Sequence, residues 1–224
     1  MPAEHSRKDS ADVIRHHMPL PESDVVLIDG FRVTSLDRTV YDVIRSVHLE
    51  AAVVCFDAAL HKIAWDDTHR TYDVAGAERF RQLVAARIHG GKGVRGIRQA
   101  RFVLEFADGR ADSPGESVSR LWMWQLNVPA PVLQHVVDLG DGRYAQLDLA
   151  WPTLARWAEF DGLAKYSDPD LLDGQTAEEV LDAERRREQE IEAVTGWSCD
   201  RWGFAQMPSL DAFASHLRTI GLYR

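Results

Sequence analysis

Three carboxylates interrupt apolar-rich runs within QLDLAWPTLARWAEFDGLAKY, residues 146–166: Asp148, Glu159 and Asp161. An unpaired acid at the edge of a core is costly, so such acids cap backbone, pair with cations or hold a metal. Asp148 on one strand and Glu159 on the next, separated by a WPTLAR turn, would aim at one point if the strands pair. Glu159 and Asp161 are two residues apart and share a face of a regular strand. Glu116 reaches in from the helix before them. Such a cluster of hard oxygen ligands suits magnesium or manganese, and a cation held this way activates water and offsets charge on phosphoryl oxygens. The nine histidines form no HExxH pattern, so zinc is not expected.

Each of these residues also has a purely structural reading. Glu116 follows Ser113 by three positions and completes a capping box. Asp148 could pair with Arg143 or Arg156, and Glu159 with a similar cation. Asp161 precedes Gly162 and fits a turn that closes its strand. Gln134 would hydrogen-bond a metal-bound water or a ligating acid, or stand as an ordinary polar residue at a strand edge. The ERRRE run at 184–188 either meets DNA or the acid cluster, or forms a solvated, self-paired helix face. The tryptophans fall inside predicted elements and read mainly as core.

The elements that must position these groups divide the chain in two. The spacing of Val40, Val43, Ile44 and Val47 predicts a helix after Ser35, and LEAAVVCFDAALHKI a second. Helices on either side of an HGGKG turn follow, preceded upstream by DVVLID and FRVTS with a turn at Gly30. After DGRAD the pattern changes. SPGESVSRLWMWQL carries a helix start with Pro at its first position, followed by PVLQHVVDL, RYAQLDLAW and LARWAEF as strands. A long charged helix, a strand in GWSCDRWGF and a final helix in SLDAFASHLRTI close the chain. The expected class is α+β or α/β, with a mainly helical region over 1–108 and a mixed sheet flanked by helices, in the order α-β-β-β-α-β, over 109–224.

Charge and composition narrow the partners. Net charge is −9. Residues 1–109 hold 15 Lys/Arg against 16 Asp/Glu, and residues 110–224 hold 11 against 19. An acidic second half excludes simple electrostatic wrapping of nucleic acid, but not a site where bound cations neutralise the acids first. Between Glu78 and Glu105 there is no acid, and Arg87, Lys92, Arg95 and Arg98 there could contact a nucleic-acid backbone; a solvated helical pair explains them equally well. No run is long enough to span a membrane, and the first residues hold no apolar leader. Cys55 and Cys199 stand in no metal or redox spacing, as expected of core residues in a reducing cytoplasm.

SPGES, Gln134, Asp148, EFDG at 159–162, Lys165–Tyr166 and the GW…RW segment from Gly196 to Trp202 together resemble the PD-(D/E)XK nuclease superfamily. The likeness is to bacterial domains related to very-short-patch mismatch-repair endonucleases, and it covers roughly residues 110–210. It implies a restriction-endonuclease-like fold and magnesium-dependent hydrolysis of phosphodiesters, DNA being the expected substrate. Asp148, Glu159 and Asp161 would be ligands and Glu116 their neighbour. The superfamily lysine two residues past the strand acid is replaced by Asp161, so Lys165 would have to fold back as the catalytic cation. DVVLIDGFRVTSLDRTVYDV and FDAAL are similar to antitoxins of abortive-infection type IV systems. That likeness implies a toxin–antitoxin or defence context and an alternative role as a non-catalytic DNA-binding regulator. Relatives of that kind begin with a winged helix, which is not read here. Cutting both strands of DNA would call for a homodimer.

Overall fold

The computed structural model describes residues 18–91, 93–162 and 176–223, so Lys92 and Lys165 lie outside the described residues. In the first half, α1 (Leu36–Ser46), α2 (Leu49–Ala64), α3 (Val74–Gly90) and α4 (Ile97–Phe106) form where the apolar spacing places them. The Asp73 side chain caps α3 by accepting the Gly76 N–H. Apolar stripes from all four helices meet in one cluster that includes Val40, Ile44, Phe56, Leu60, Phe80, Val84, Ile88 and Val103.

Ahead of α1, β1 (Val25–Ile28) and β2 (Phe31–Thr34) form a hairpin. Its two turn residues, Asp29 and Gly30, both have positive φ, 51° and 81°, as a tight right-twisting hairpin turn requires. Between α2 and α3 lies a shorter hairpin that the sequence pattern did not reveal, β3 (Trp65–Asp66) with β4 (Thr71–Tyr72).

The second half starts with α5 (Pro114–Gln125) and continues through β5 (Val132–Gly140), β6 (Arg143–Trp151), β7 (Arg156–Phe160), α6 (Ala177–Thr195), β8 (Ser198–Trp202) and α7 (Leu210–Thr219). The four strands form one sheet in the order β5-β6-β7-β8. The first three are antiparallel neighbours, while β8 runs parallel to β7. A parallel pair needs a crossover, and α6 lies in the connection between its strands. Helices therefore come first and a mixed sheet second, an α+β arrangement.

Each face of the sheet is covered. Leu133, Leu149, Ala158, Phe160 and Trp202 share a cluster with Met123 of α5 and Phe213 and Leu217 of α7. Val137, Ala145, Leu147 and Trp157 cluster with Ile191 of α6. Trp151, Trp157 and Trp202 are buried, as expected, whereas Trp124 is half exposed.

The start of α5 depends on one glycine. A Cβ on Gly115 would overlap the Phe160 ring, so the helix end can lie against β7 only without a side chain there. Gly115→Ala is expected to cost about 1–3 kcal/mol through overpacking, read as a lower midpoint in thermal denaturation. Among the described residues, no helix is long and apolar enough to cross a membrane.

Candidate functional site

Glu116 is positioned by the first turn of α5. Ser113 Oγ accepts its N–H at 3.2 Å and donates to its Oε1 at 2.8 Å. Its Oε2 accepts the Asp112 N–H at 3.0 Å. The capping reading is therefore realised in the geometry, with Asp112 in place of the usual N-cap amide. Capping does not exhaust this side chain. It is 4% exposed, and burial together with the nearby negative charge of Asp148 pushes its pKa up to about 8. Two carboxyl groups thus approach each other where α5 meets β6.

That shift has a sign that can be tested. The folded chain holds a proton on Glu116 that the unfolded chain releases above the ordinary value of 4.5. Stability should therefore fall as pH rises from about 4.5 towards about 8, and level off above that. Glu116→Gln removes the charge and keeps an acceptor for the cap. It is expected to flatten this decline and to raise stability at alkaline pH by about 2–4 kcal/mol, measured by urea denaturation at several pH values.

Asp148 sits at an irregular point of the β5–β6 ladder. The pairs Leu133↔Leu149 and His135↔Leu147 flank it, and Gln134 lies between them on the facing strand. Gln134 has φ +49°, which turns the buried face of β5 over. Residues before it pack towards α5 and α7, and Val137 beyond it packs towards α6. Gln134 is 8% exposed, and its Nε2 has no hydrogen-bond partner among the described residues. An orphaned buried donor is unusual and marks a place where a water or an anionic oxygen would be held. Asp148 Oδ2 accepts the Phe160 N–H at 3.3 Å. The arginines that could have paired locally with Asp148 lie elsewhere, Arg143 on Glu190 and Arg156 on Asp200.

Glu159 has different company. β6 and β7 do pair, from Trp151↔Arg156 to Leu149↔Ala158, and the ladder stops there, one residue short of Asp148 and Glu159. The Glu159 carboxylate, however, is ion-paired to Arg187 of α6 and, at 2.8 Å, to Arg201 of β8. Arg201 also lies 3.6 Å from Asp161, 3.5 Å from Glu184 and 3.6 Å from Glu188. The ERRRE run is therefore not simply a self-paired solvated face. Arg187 turns inward, stacks over the Trp157 ring and donates to the Gln146 carbonyl at 2.6 Å. The sequence admits a meeting of the ERRRE run with the acid cluster, and Arg187, 28 positions from Glu159, makes it; sequence reasoning missed Arg201, 42 positions away. The only signal was the alternation of Cys199, Arg201 and Trp202, which places Arg201 on the α6 side of its strand.

The expected four-acid cluster thus divides into a Glu116–Asp148 pair and an arginine-bound group around Glu159 and Asp161. Among the described residues, no three acid, histidine or cysteine side chains form a metal cage by themselves. Two carboxylates still suit magnesium, which keeps most of its waters and takes one or two protein acids. A divalent ion beside Glu116 would also offset the burial and repulsion that raise its pKa.

Of the basic residues, Arg87 moves from the surface set to a structural one. It binds Asp24 at 2.8 Å and also Asp37, and Arg38 joins Asp24 at 2.8 Å, tying α3 and α1 to the start of the hairpin. Arg95 and Arg98 are exposed. Arg81 binds the carbonyls of Leu104 and Ala107 and holds the end of α4.

No family model and no solved structure matches the chain. Two proteins of Mycobacterium tuberculosis are similar to it, uncharacterized protein MT2308 of strain CDC 1551 / Oshkosh and uncharacterized protein Rv2248 of strain ATCC 25618 / H37Rv. Each is 32% identical over 142 residues, which cover 63% of this chain and 47% of the relative. The chain spans about half the length of the curated relatives it matches.

Proposed function

We propose that the sheet-bearing half is a PD-(D/E)XK-type endonuclease domain that hydrolyses phosphodiesters of DNA with magnesium or manganese. The burial of Glu116 beside the negative charge of Asp148, which together push its pKa up to about 8, carries this reading. The element order from α5 to β8 and the sheet order β5-β6-β7-β8 with its parallel β7–β8 pair support a restriction-endonuclease-like topology.

Asp148 and Glu116 would hold the ion from β6 and from the first turn of α5. The cation, when bound, supplies Lewis acidity and a water of lowered pKa. To act as a ligand, Glu116 would have to release its proton. The unpartnered Gln134 amide donates to a phosphoryl oxygen or to the attacking water. Glu159 would join Asp148 and Glu116 only after release from Arg187 and Arg201, and Asp161 after release from Arg201; the part assigned to Lys165 falls outside the described residues.

The double arginine pairing of Glu159 favours a second reading, in which the fold is kept for binding and the acids are structural, as in a regulator or antitoxin of a defence system. Incubation of supercoiled plasmid with the full chain and magnesium, with and without EDTA, separates the two. Metal-dependent nicking supports the endonuclease. Binding with no nicking under either metal overturns it in favour of the regulator.

A further inference from the structure

A groove of about 640 Å³ opens between the β3–β4 hairpin and the sheet, away from the Glu116–Asp148 pair. Thr68, His69, Arg70 and Thr71 line one wall, and Tyr144, Gln146 and Arg187 the other. In a chain of net charge −9, none of the described residues lining it is acidic. Its walls carry two guanidinium groups, an imidazole and three hydroxyls, the donor set that receives phosphate oxygens.

Three observations mark the groove as built rather than incidental. Arg70 has φ +50°, a left-handed conformation that a long side chain rarely adopts. Such strain persists where the surroundings impose it, and here Arg70 donates to the Gln146 side chain across the groove. Asp66 braces the hairpin tip, accepting the Thr68 and His69 N–H groups and holding His69 Nδ1 at 2.7 Å. Tyr144 is 65% exposed on the opposite wall, an aromatic surface on which a base can stack.

The groove is also wired to the acid cluster. Arg70 binds the Gln146 side chain, Arg187 binds the Gln146 carbonyl, and Arg187 holds Glu159. A phosphate arriving beside Arg187 would compete with Glu159 for the same guanidinium.

We propose that this groove binds a single strand of nucleic acid, with phosphates on Arg70, His69 and Arg187 and a base stacked on Tyr144. The inference rests on the phosphodiester reading above for its meaning as a substrate site, but its geometry is independent of the Glu116–Asp148 pair. The volume lies in the range of sites that enclose one small ligand, about 300–1,000 Å³, which admits a nucleotide or two.

The test is fluorescence anisotropy of a labelled single-stranded DNA oligonucleotide with the full chain in EDTA, where no cleavage can occur. Wild type should bind, and more weakly as salt rises. Tyr144→Ala and Arg70→Ala should each weaken binding about tenfold. The exposed ring of Tyr144 can be removed without disturbing the core, so that variant decides the matter if Arg70→Ala perturbs its hairpin. No binding by wild type, wild-type affinity in Tyr144→Ala, or equal competition by unlabelled duplex would each overturn the proposal. Binding that follows this pattern, with no nicking in magnesium, would keep the groove and remove the endonuclease.

Discussion

Asp148→Ala is expected to abolish magnesium-dependent nicking, lowering the rate by about 10²-fold or more. A cation that stabilises the charge developing on a phosphoryl oxygen contributes several kcal/mol, and each 1.36 kcal/mol is about tenfold in rate. Asp148 is the carboxylate that β6 directs towards Glu116, so its loss leaves one acid where the proposed ion needs two. The fold should survive. The substitution loses the hydrogen bond from the Phe160 N–H, which costs about 1 kcal/mol. It also removes a charge that raises the Glu116 pKa, which works in the opposite direction at alkaline pH. An Asp148→Ala protein with wild-type melting behaviour and undiminished, EDTA-sensitive nicking would remove Asp148 from the mechanism.

Asp57→Ala is expected to destabilise the chain by about 3–5 kcal/mol, read as a large fall in the urea midpoint without loss of two-state behaviour. Asp57 of α2 is 1% exposed and bonds Arg120 of α5 at 2.9 Å. Its other oxygen accepts the Asp108 N–H at 2.7 Å, and Arg120 reaches the Phe106 carbonyl at 3.1 Å. This joint holds the helical half to the sheet-bearing half, and α5 contributes Leu121 to one core and Met123 to the other. Burial raises the Asp57 pKa to about 6, although the Arg120 charge opposes the rise. At neutral pH the pair is therefore ionised, and removing the acid strands a buried guanidinium. Replacing both partners, as Asp57→Leu with Arg120→Met, should recover much of the loss. A double variant no more stable than Asp57→Ala would show that the ion pair is not the source of the effect.

The helices and strands of this chain were largely legible because their signals are local. Side-chain caps begin both α5 and α6, Ser113 with Glu116 in one and a full capping box of Thr176 with Glu179 in the other. The periodicity of Val40 and Ile44 marks a buried stripe, and the Asp29–Gly30 turn closes a hairpin with the residues its backbone demands. The β3–β4 hairpin escaped notice because two-residue strands are too short to show alternation. With it went Arg70, half of the proposed strand-binding groove.

The candidate site was legible in its residues but not in their partners. Asp148 lies close enough to Glu116 to raise its pKa, and Gln134 stands between the β5–β6 pairs that flank Asp148. Glu159 was expected to join them and instead meets Arg187 and Arg201. Strand parity places it on the α6 side, and the turn-over at Gln134 parts it from the residues facing α5.

By its order of side chains alone, this chain determines where its helices start and stop, where its strands alternate, and that acids stand beside apolar runs. Those outcomes depend on hydrogen bonds and contacts a few residues apart. Which acid meets an arginine and which meets another acid was decided only when α6 crossed over the sheet and β8 paired with β7. Charge pairing acts across space, and no local spacing encodes the register of elements that lie 28 to 42 residues apart.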